Sequence, residues 1–447
     1  MNLDETQVQH VGRLMTKVQV PARPLLRTLH RLFVITLSGC LVILFAGGGA
    51  VTAQQASLQR LNMTVAGYGF DLLSWEVEAL AAKAQALITR PAAPLTPAEG
   101  VALVQDYLER ARQIRQLEVE IARLYSENNH ERTPLAAGHQ AEIEALRIQQ
   151  AHDRPAVEQI IEQQVGLILV EAGLGLEGVP LPPVKFAFVE PPKKLVVSPR
   201  DRIETLYARM LDAAISLDTI ELAEQRIRYE QELSAYVTNI GGLGAYPTMV
   251  IDDASLEWIL STVAHEWVHN YLTFFPLGFN YGASSDIIII NETVADIVGN
   301  EVGAEALRRF YPELVPPPPP AVNTETIPLT PARTFDFGAN MRETRLLVDT
   351  LLAQGRVEEA ERYMERRRQY FVANGYPLRV LNQAFFAFHG SYGTGAAATS
   401  PLGPQLERLR ELTPDTKTFL QVVRPFTTPE DVAAALVEWE SARQDNN

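Results

Sequence analysis

Apolar and polar positions are spaced differently in successive stretches of the chain. From Leu32 to Ala53 it reads LFVITLSGCLVILFAGGGAVTA, 22 residues without a charge. As a helix this run is long enough to cross a hydrocarbon core, and it is apolar all round, as a span must be. Between residues 54 and 180 the period becomes helical and amphipathic. Leu103–Tyr125 sets apolar residues three and four apart with charges between them, and Thr96 ahead of Pro97-Ala98-Glu99 makes a capping-box start. Short apolar runs follow. Val184–Val189 and Leu195–Ser198 flank Glu190-Pro191-Pro192-Lys193-Lys194 and predict a hairpin or a strand pair with a Pro turn, and Pro247–Ile251 predicts another strand after Gly241-Gly242-Leu243-Gly244. Leu256, Ile259, Leu260, Val263 and Val268 then return to helical spacing. Asp252 or Asp253 is placed to cap that helix, and Pro276 to close it.

The expected fold class is mainly α (α+β). The expected organisation is a basic leader (1–31), a membrane anchor (32–53), a helical stalk or packing region (54–180), a core with a small β-sheet (181–310), a Pro-rich connection (311–334) around Pro316–Pro320, and a helical C-terminal part (335–447) that turns at Gly355. A chain of 447 residues exceeds what one hydrophobic core usually organises.

Charge refines this picture. The net charge is −15, yet the first 31 residues carry Arg13, Lys17, Arg23, Arg27 and Arg31 against only Asp4 and Glu5. Basic residues ahead of the apolar run place the N-terminus in the cytoplasm and the acidic body outside it. Two other readings of the same segment stay open: cleavage after Val51-Thr52-Ala53, and lipidation at Cys40. An acidic body excludes nucleic acid as a partner, because phosphate binding needs basic surface. A single cysteine, Cys40, excludes an intrachain disulfide.

The candidate chemistry lies within Ile251–Leu307, which contains His265-Glu266-Trp267-Val268-His269 and then Asn291-Glu292-Thr293-Val294-Ala295-Asp296. Histidines four apart on a helix project from one face and can reach one tetrahedral zinc ion. Glu266 is turned about 100° from His265, which suits a general base better than a ligand. A third histidine in the pattern HExxHxxGxxH would need glycine and histidine where the chain has Leu272 and Phe275. A carboxylate from a second helix is therefore expected. Glu292 is the best candidate, with Glu301 and Asp286 in reserve. Asp296, one turn beyond, is placed to hold the far nitrogen of a ligand histidine. Gly299 and Gly303 continue that face and would let the two helices approach closely.

HEWVH followed by NETVAD resembles the gluzincin metallopeptidases, in which HExxH is followed by a glutamate on a second helix, often within NExxxD or ExxxD. The resemblance covers Ile251–Leu307. It implies a zincin-like catalytic core, one zinc per chain held by His265, His269 and Glu292, Glu266 as base, and a peptide or protein substrate. VLNQAFFAFHGSYG (Val380–Gly393) and MRETRL (Met341–Leu346) are also similar to a bacterial family of putative aminopeptidases. Gluzincin aminopeptidases often carry a GxMEN glutamate for the substrate amine, and Gly244-Ala245-Tyr246-Pro247-Thr248 has none.

Peptide hydrolysis also needs a donor for the developing oxyanion, and His389 and Tyr392 are the candidates. Arg342 and Arg345 are read as ion-pair residues or as contacts for a substrate carboxylate. Pro247–Ile251 is read as the sheet edge to which a substrate backbone adds.

Overall fold

The computed structural model describes residues 53–88, 95–126, 133–315 and 335–445. The chain divides into two compact units, Met1–Arg60 and Leu61–Asn447. Apart from Ala53, which begins the helix Ala53–Thr64 (α1), the expected leader and membrane span lie outside the described residues, as does the polyproline run. No helix among the described residues is long and apolar enough to cross a membrane.

The described chain is mainly helical with small sheets. After Leu72–Ile88 (α2) come two long helices, Pro97–Ser126 (α3) and Thr133–Glu171 (α4). The Thr96 backbone N–H donates to the Glu99 carboxylate at 2.7 Å, and the Glu99 N–H donates to the Thr96 hydroxyl at 3.3 Å, the reciprocal cap expected of this sequence. Val104 and Tyr107 of α3 and Val157, Ile161 and Val165 of α4 belong to the same buried core as the helix pair carrying HEWVH and NETVAD. The helices α3 and α4 are thus packed into the same core as that helix pair.

Three small sheets follow. Gly175–Leu176 (β1) and Val179–Pro180 (β2) form a two-stranded ribbon. Lys193–Pro199 (β4) lies between Tyr207–Leu211 (β5) and Leu233–Thr238 (β6), both antiparallel to it, with the helix Leu217–Gln231 (α5) between β5 and β6 in the chain. Phe186–Phe188 (β3) runs parallel to Thr248–Val250 (β8), whose other edge takes Gly242–Leu243 (β7) antiparallel.

Two expectations are corrected here. Val184–Val189 and Leu195–Ser198 do not form a hairpin, because they enter different sheets. Leu195, Val196 and Val197 are all buried, so both faces and both edges of β4 are taken up by longer-range partners. Pro191 and Pro192 fix the intervening backbone without supplying donors for a ladder. Nor is Pro247–Ile251 an edge: Thr248, Met249 and Val250 are buried between β3 and β7, which leaves β7 as the edge. The opposite edge of the sheet is closed by side chains. Glu158 and Glu162, four apart on α4, accept hydrogen bonds from the backbone N–H groups of Phe188 (2.8 Å) and Phe186 (3.2 Å), and Lys83 of α2 bridges both carboxylates at 2.7 Å.

The helix Leu256–Leu272 (α6) carries HEWVH. Its cap is Ser255, whose hydroxyl accepts from the Trp258 N–H, while Asp252 instead accepts from the Tyr107 hydroxyl. Pro276 does not close α6; it opens a separate short helix, Pro276–Phe279 (α7). Ser284 caps Ser285–Phe310 (α8), which carries NETVAD. A Cβ on Gly303 would lie 2.6 Å from the Ser261 Cα and backbone nitrogen, and one on Gly299 would lie 2.9 Å from the His265 Cβ. The two helix backbones can touch at these positions only because both residues are glycine. Phe337–Ala353 (α9), a turn through Gly355 at φ +70°, and Val357–Ala373 (α10) build a second core. Arg345 pairs with Asp349 at 2.9 Å and Arg342 donates to the Ala398 carbonyl, so both arginines are engaged within this C-terminal part. Gln383–His389 (α11) packs against β4 and β6, and Leu402–Leu412 (α12), Thr416–Val423 (α13) and Pro429–Asp445 (α14) complete the chain.

Gly303→Ala is expected to lower stability by about 1–3 kcal/mol in denaturant unfolding, because a backbone offers nothing that can yield to the added methyl. Gly138→Ala on α4, where a Cβ meets nothing within 4 Å, is expected to be neutral or slightly stabilising. Equal effects of the two substitutions would contradict the close approach of α6 and α8.

Candidate metal centre

One turn separates His265 from His269, and their imidazole rings meet edge to face with centroids 4.7 Å apart. Their Nε2 atoms lie 3.0 Å from each other, and Oε2 of Glu292 lies 3.6 Å from the first and 3.7 Å from the second. One ligand atom from each of the three residues falls within 4.8 Å of the others. Two imidazole nitrogens and a carboxylate oxygen converging in this way can hold a metal ion.

The far nitrogens are held from behind. His265 Nδ1 is 3.0 Å from the Asp296 carboxylate, and His269 Nδ1 is 2.8 Å from the Asn291 side-chain oxygen. An Nδ1–H donated to each acceptor leaves the Nε2 lone pairs facing the shared point. Asn291 is itself fixed by donating to the Leu277 carbonyl at 3.2 Å. The other oxygen of Glu292 accepts the Tyr281 hydroxyl at 2.6 Å, from the loop between α7 and α8. A single helix, α8, therefore supplies Glu292, Asn291 and Asp296.

The electrostatics favour a positive charge at this point. Burial pushes the His265 imidazole down, but its hydrogen bonds with Asp296 and Glu292 and the nearby Glu266 outweigh it and raise it to about 10. Burial likewise opposes ionisation of Glu292, yet the two histidines hold its carboxyl well below the usual range. Burial and the Glu292 charge push the Tyr281 hydroxyl well above its ordinary value, so it remains a donor.

Glu266 is 6% exposed and accepts no hydrogen bond among the described residues. Burial pushes its carboxyl up, with His265 and His269 pulling the other way. Its carboxylate fills the space beside β7: a Cβ on Gly242 would lie 2.4 Å from one oxygen, and one on Gly244 would lie 3.3 Å from the other. The glycines preceding Tyr246 thus make room for this side chain. The group opens into a cleft of about 840 Å³ walled by β4 and β5 on one side and by the Gly241–Gly244 segment on another.

The remaining sequence candidates separate. The Tyr392 ring lies 6.4 Å from the His265 ring, and its loop is tied to α8 by the Gly393 N–H donating to Thr293 at 3.1 Å. His389, three residues earlier, does not reach the site. It ends α11 with its ring against Phe385, Phe388 and Tyr236, the closest centroid being 4.2 Å away, and does not line the cleft. Glu301 pairs with Arg410 at 2.9 Å, and Asp286 lies outside the ligand group. Sequence reasoning missed Asn291 and Tyr281. Adjacency to Glu292 was a usable signal for Asn291, whereas nothing local marks Tyr281.

Tyr281→Phe is expected to weaken metal affinity about tenfold in a chelator competition, as loss of a hydrogen bond to a ligand generally does. Unchanged affinity would show that Glu292 is positioned without it. Burial lowers His389 from 6.5 to about 4, so the unfolded chain takes up this proton before the folded chain does, and native stability falls as pH drops through that window. His389→Phe is expected to shrink that loss in urea unfolding; an identical acid profile would contradict the neutral, buried state of the ring. Comparison of the chain with protein-family models, with curated proteins and with solved structures returns no match.

Proposed function

We propose that this chain is a zinc-dependent hydrolase of the gluzincin type that cleaves peptide bonds, anchored to the membrane by Leu32–Ala53 with its catalytic body outside the cytoplasm. One observation carries the reading: a convergent His265–His269–Glu292 ligand group with a buried, hydrogen-bond-free carboxylate, Glu266, beside it in the same cleft. A site that only held a metal for structural purposes would have no use for that carboxylate. Two imidazoles and one carboxylate fit the donor preference of zinc, with room for a further ligand. Zinc held there supplies Lewis acidity, polarising a carbonyl and acidifying water.

The chain's own residues supply the rest. As water adds to the peptide carbonyl, a proton must leave the water, and as the C–N bond breaks, a proton must reach the departing amine. Glu266 can perform both transfers in turn, since its carboxylate is free and burial favours its protonated form more than solvent does. Charge building on the carbonyl oxygen needs a donor fixed in advance. Tyr392 is the candidate: no group among the described residues takes its hydroxyl proton, and the Glu292 charge together with burial keeps it protonated. Asp296, Asn291 and Tyr281 position the ligands and take no part in proton transfer.

The purified full-length chain is expected to contain about one zinc and to hydrolyse peptides. Glu266→Gln should keep the zinc while activity falls about 10²–10⁴-fold, the range for losing a general base. Glu292→Ala should lose much of the zinc. Undiminished hydrolysis by Glu266→Gln would remove the mechanism, and a parent chain that binds no zinc would remove the reading.

A further inference from the structure

Seven charged or titratable side chains line the cleft beside its aromatics: His265, His269, Glu292, Glu266, Asp296, Lys194 and Arg209. The first five form the metal group and its neighbours. Arg209 is occupied, because it donates to Asn62 at 3.0 Å and its guanidinium lies against Gly69. Lys194 differs from all of these. It stands in the central strand β4, paired through its backbone with Met210 and Thr238, and its side chain shares a face with Val196, which packs on Phe388. Its ammonium lies 5.4 Å from the Phe388 ring centroid, and no carboxylate or carbonyl among the described residues accepts a hydrogen bond from it. The adjacent Lys193, by contrast, donates to the Ala213 carbonyl and faces Glu190 at 3.7 Å.

We infer that Lys194 is a specificity residue that pairs with a carboxylate of the substrate, so that the cleft prefers peptides with a negative charge near the scissile bond. This rests on the peptide-hydrolase reading above. An ammonium is a compact charge with three donors, and inside a half-enclosed cleft those donors need acceptors. The protein supplies an aromatic face and, at longer range, the Glu266 charge, which attract a cation but leave its donors without a hydrogen-bond acceptor among the described residues. The group also stands close to the chemistry. Phe388 packs on Tyr392 with centroids 5.9 Å apart, and Tyr392 lies 6.4 Å from His265. This short series of rings corresponds to a few residues of extended peptide at about 3.3 Å each. The chain carries a net charge of −15, so an anionic substrate is repelled at large and needs a local cation to seat it. Among the described cleft residues, Lys194 is thus a cation that no protein acceptor engages by a hydrogen bond, and a substrate carboxylate is the group that would complete it. That carboxylate has two sources, a free C-terminus or an Asp or Glu side chain.

The test uses the zinc-loaded full-length chain carrying Glu266→Gln, which holds peptide without turning it over, and three fluorescent peptides of otherwise identical sequence. One ends in a free carboxylate with Gln at an internal position, one is its C-terminal amide, and one is the amide with Glu in place of that Gln. At least one of the carboxylate peptides should bind about tenfold more tightly than the neutral amide. Preference for the free acid identifies the C-terminus as the group recognised, and preference for the Glu peptide identifies a side chain. The ratio should collapse to within about twofold in Lys194→Met, persist in Lys194→Arg, and weaken with added salt in the Lys194 protein. Equal binding of all three peptides before any change at Lys194 overturns this inference and leaves the hydrolase reading standing. Discrimination that survives Lys194→Met overturns the assignment to this residue. Failure of all three peptides to bind a zinc-loaded chain overturns the peptide-hydrolase reading and this inference with it.

Discussion

Everything at the candidate metal centre depends on how closely α6 and α8 approach. Gly299 and Gly303 let the α8 backbone lie against Ser261 and His265, where a single added methyl would collide with backbone atoms. At that separation one turn of α6 offers two imidazoles, and little more than one turn of α8 offers a carboxylate and two acceptors behind them. A wider spacing would break the ligand triangle and the Nδ1 hydrogen bonds together. The apolar faces of the same helices, through Ile259, Val263, Trp267, Ile290, Val294 and Val298, enter the core shared with α3 and α4. Burial of those faces fixes the pair, and the polar site forms on the side the core leaves open.

The small sheets complete the cleft rather than build it. The β7 edge brings glycines against the Glu266 carboxylate, and β4 brings Lys194 and Val196 to the opposite wall. The sheet containing β7 has its far edge sealed by two carboxylates of α4, so it stays paired on the buried side and open towards the cleft. This explains why the long helices of 54–180 matter to the site: they anchor the strand pair that shapes the surroundings of Glu266.

What was legible in the sequence was local. HEWVH and NETVAD identify themselves because ligand spacing on a helix is a matter of residues one turn apart, and glycines four apart on the same face signal helix contact. The capping box at Thr96 and the turn at Gly355 were equally readable, each within a handful of residues. Pairings between distant segments were not. VKFAFV and LVVS are adjacent in sequence and both form strands, yet their partners are chosen by burial of both faces of β4 and by β8, some sixty residues after β3. The same limit hid Tyr281, whose role depends on how the α7 loop folds back over Glu292. Nor could the sequence show that the end of α11 sets the His389 ring against Phe385 while the Tyr392 ring lies 6.4 Å from that of His265.

The central claim is that two imidazoles and one carboxylate of this helix pair form a single metal site. Zinc K-edge X-ray absorption on the zinc-loaded full-length chain addresses it most directly. The account predicts a light-atom shell with the outer-shell scattering of two imidazoles and no sulfur, losing about half of that imidazole signal in His269→Ala. A sulfur ligand, or a spectrum indifferent to that substitution, would contradict it.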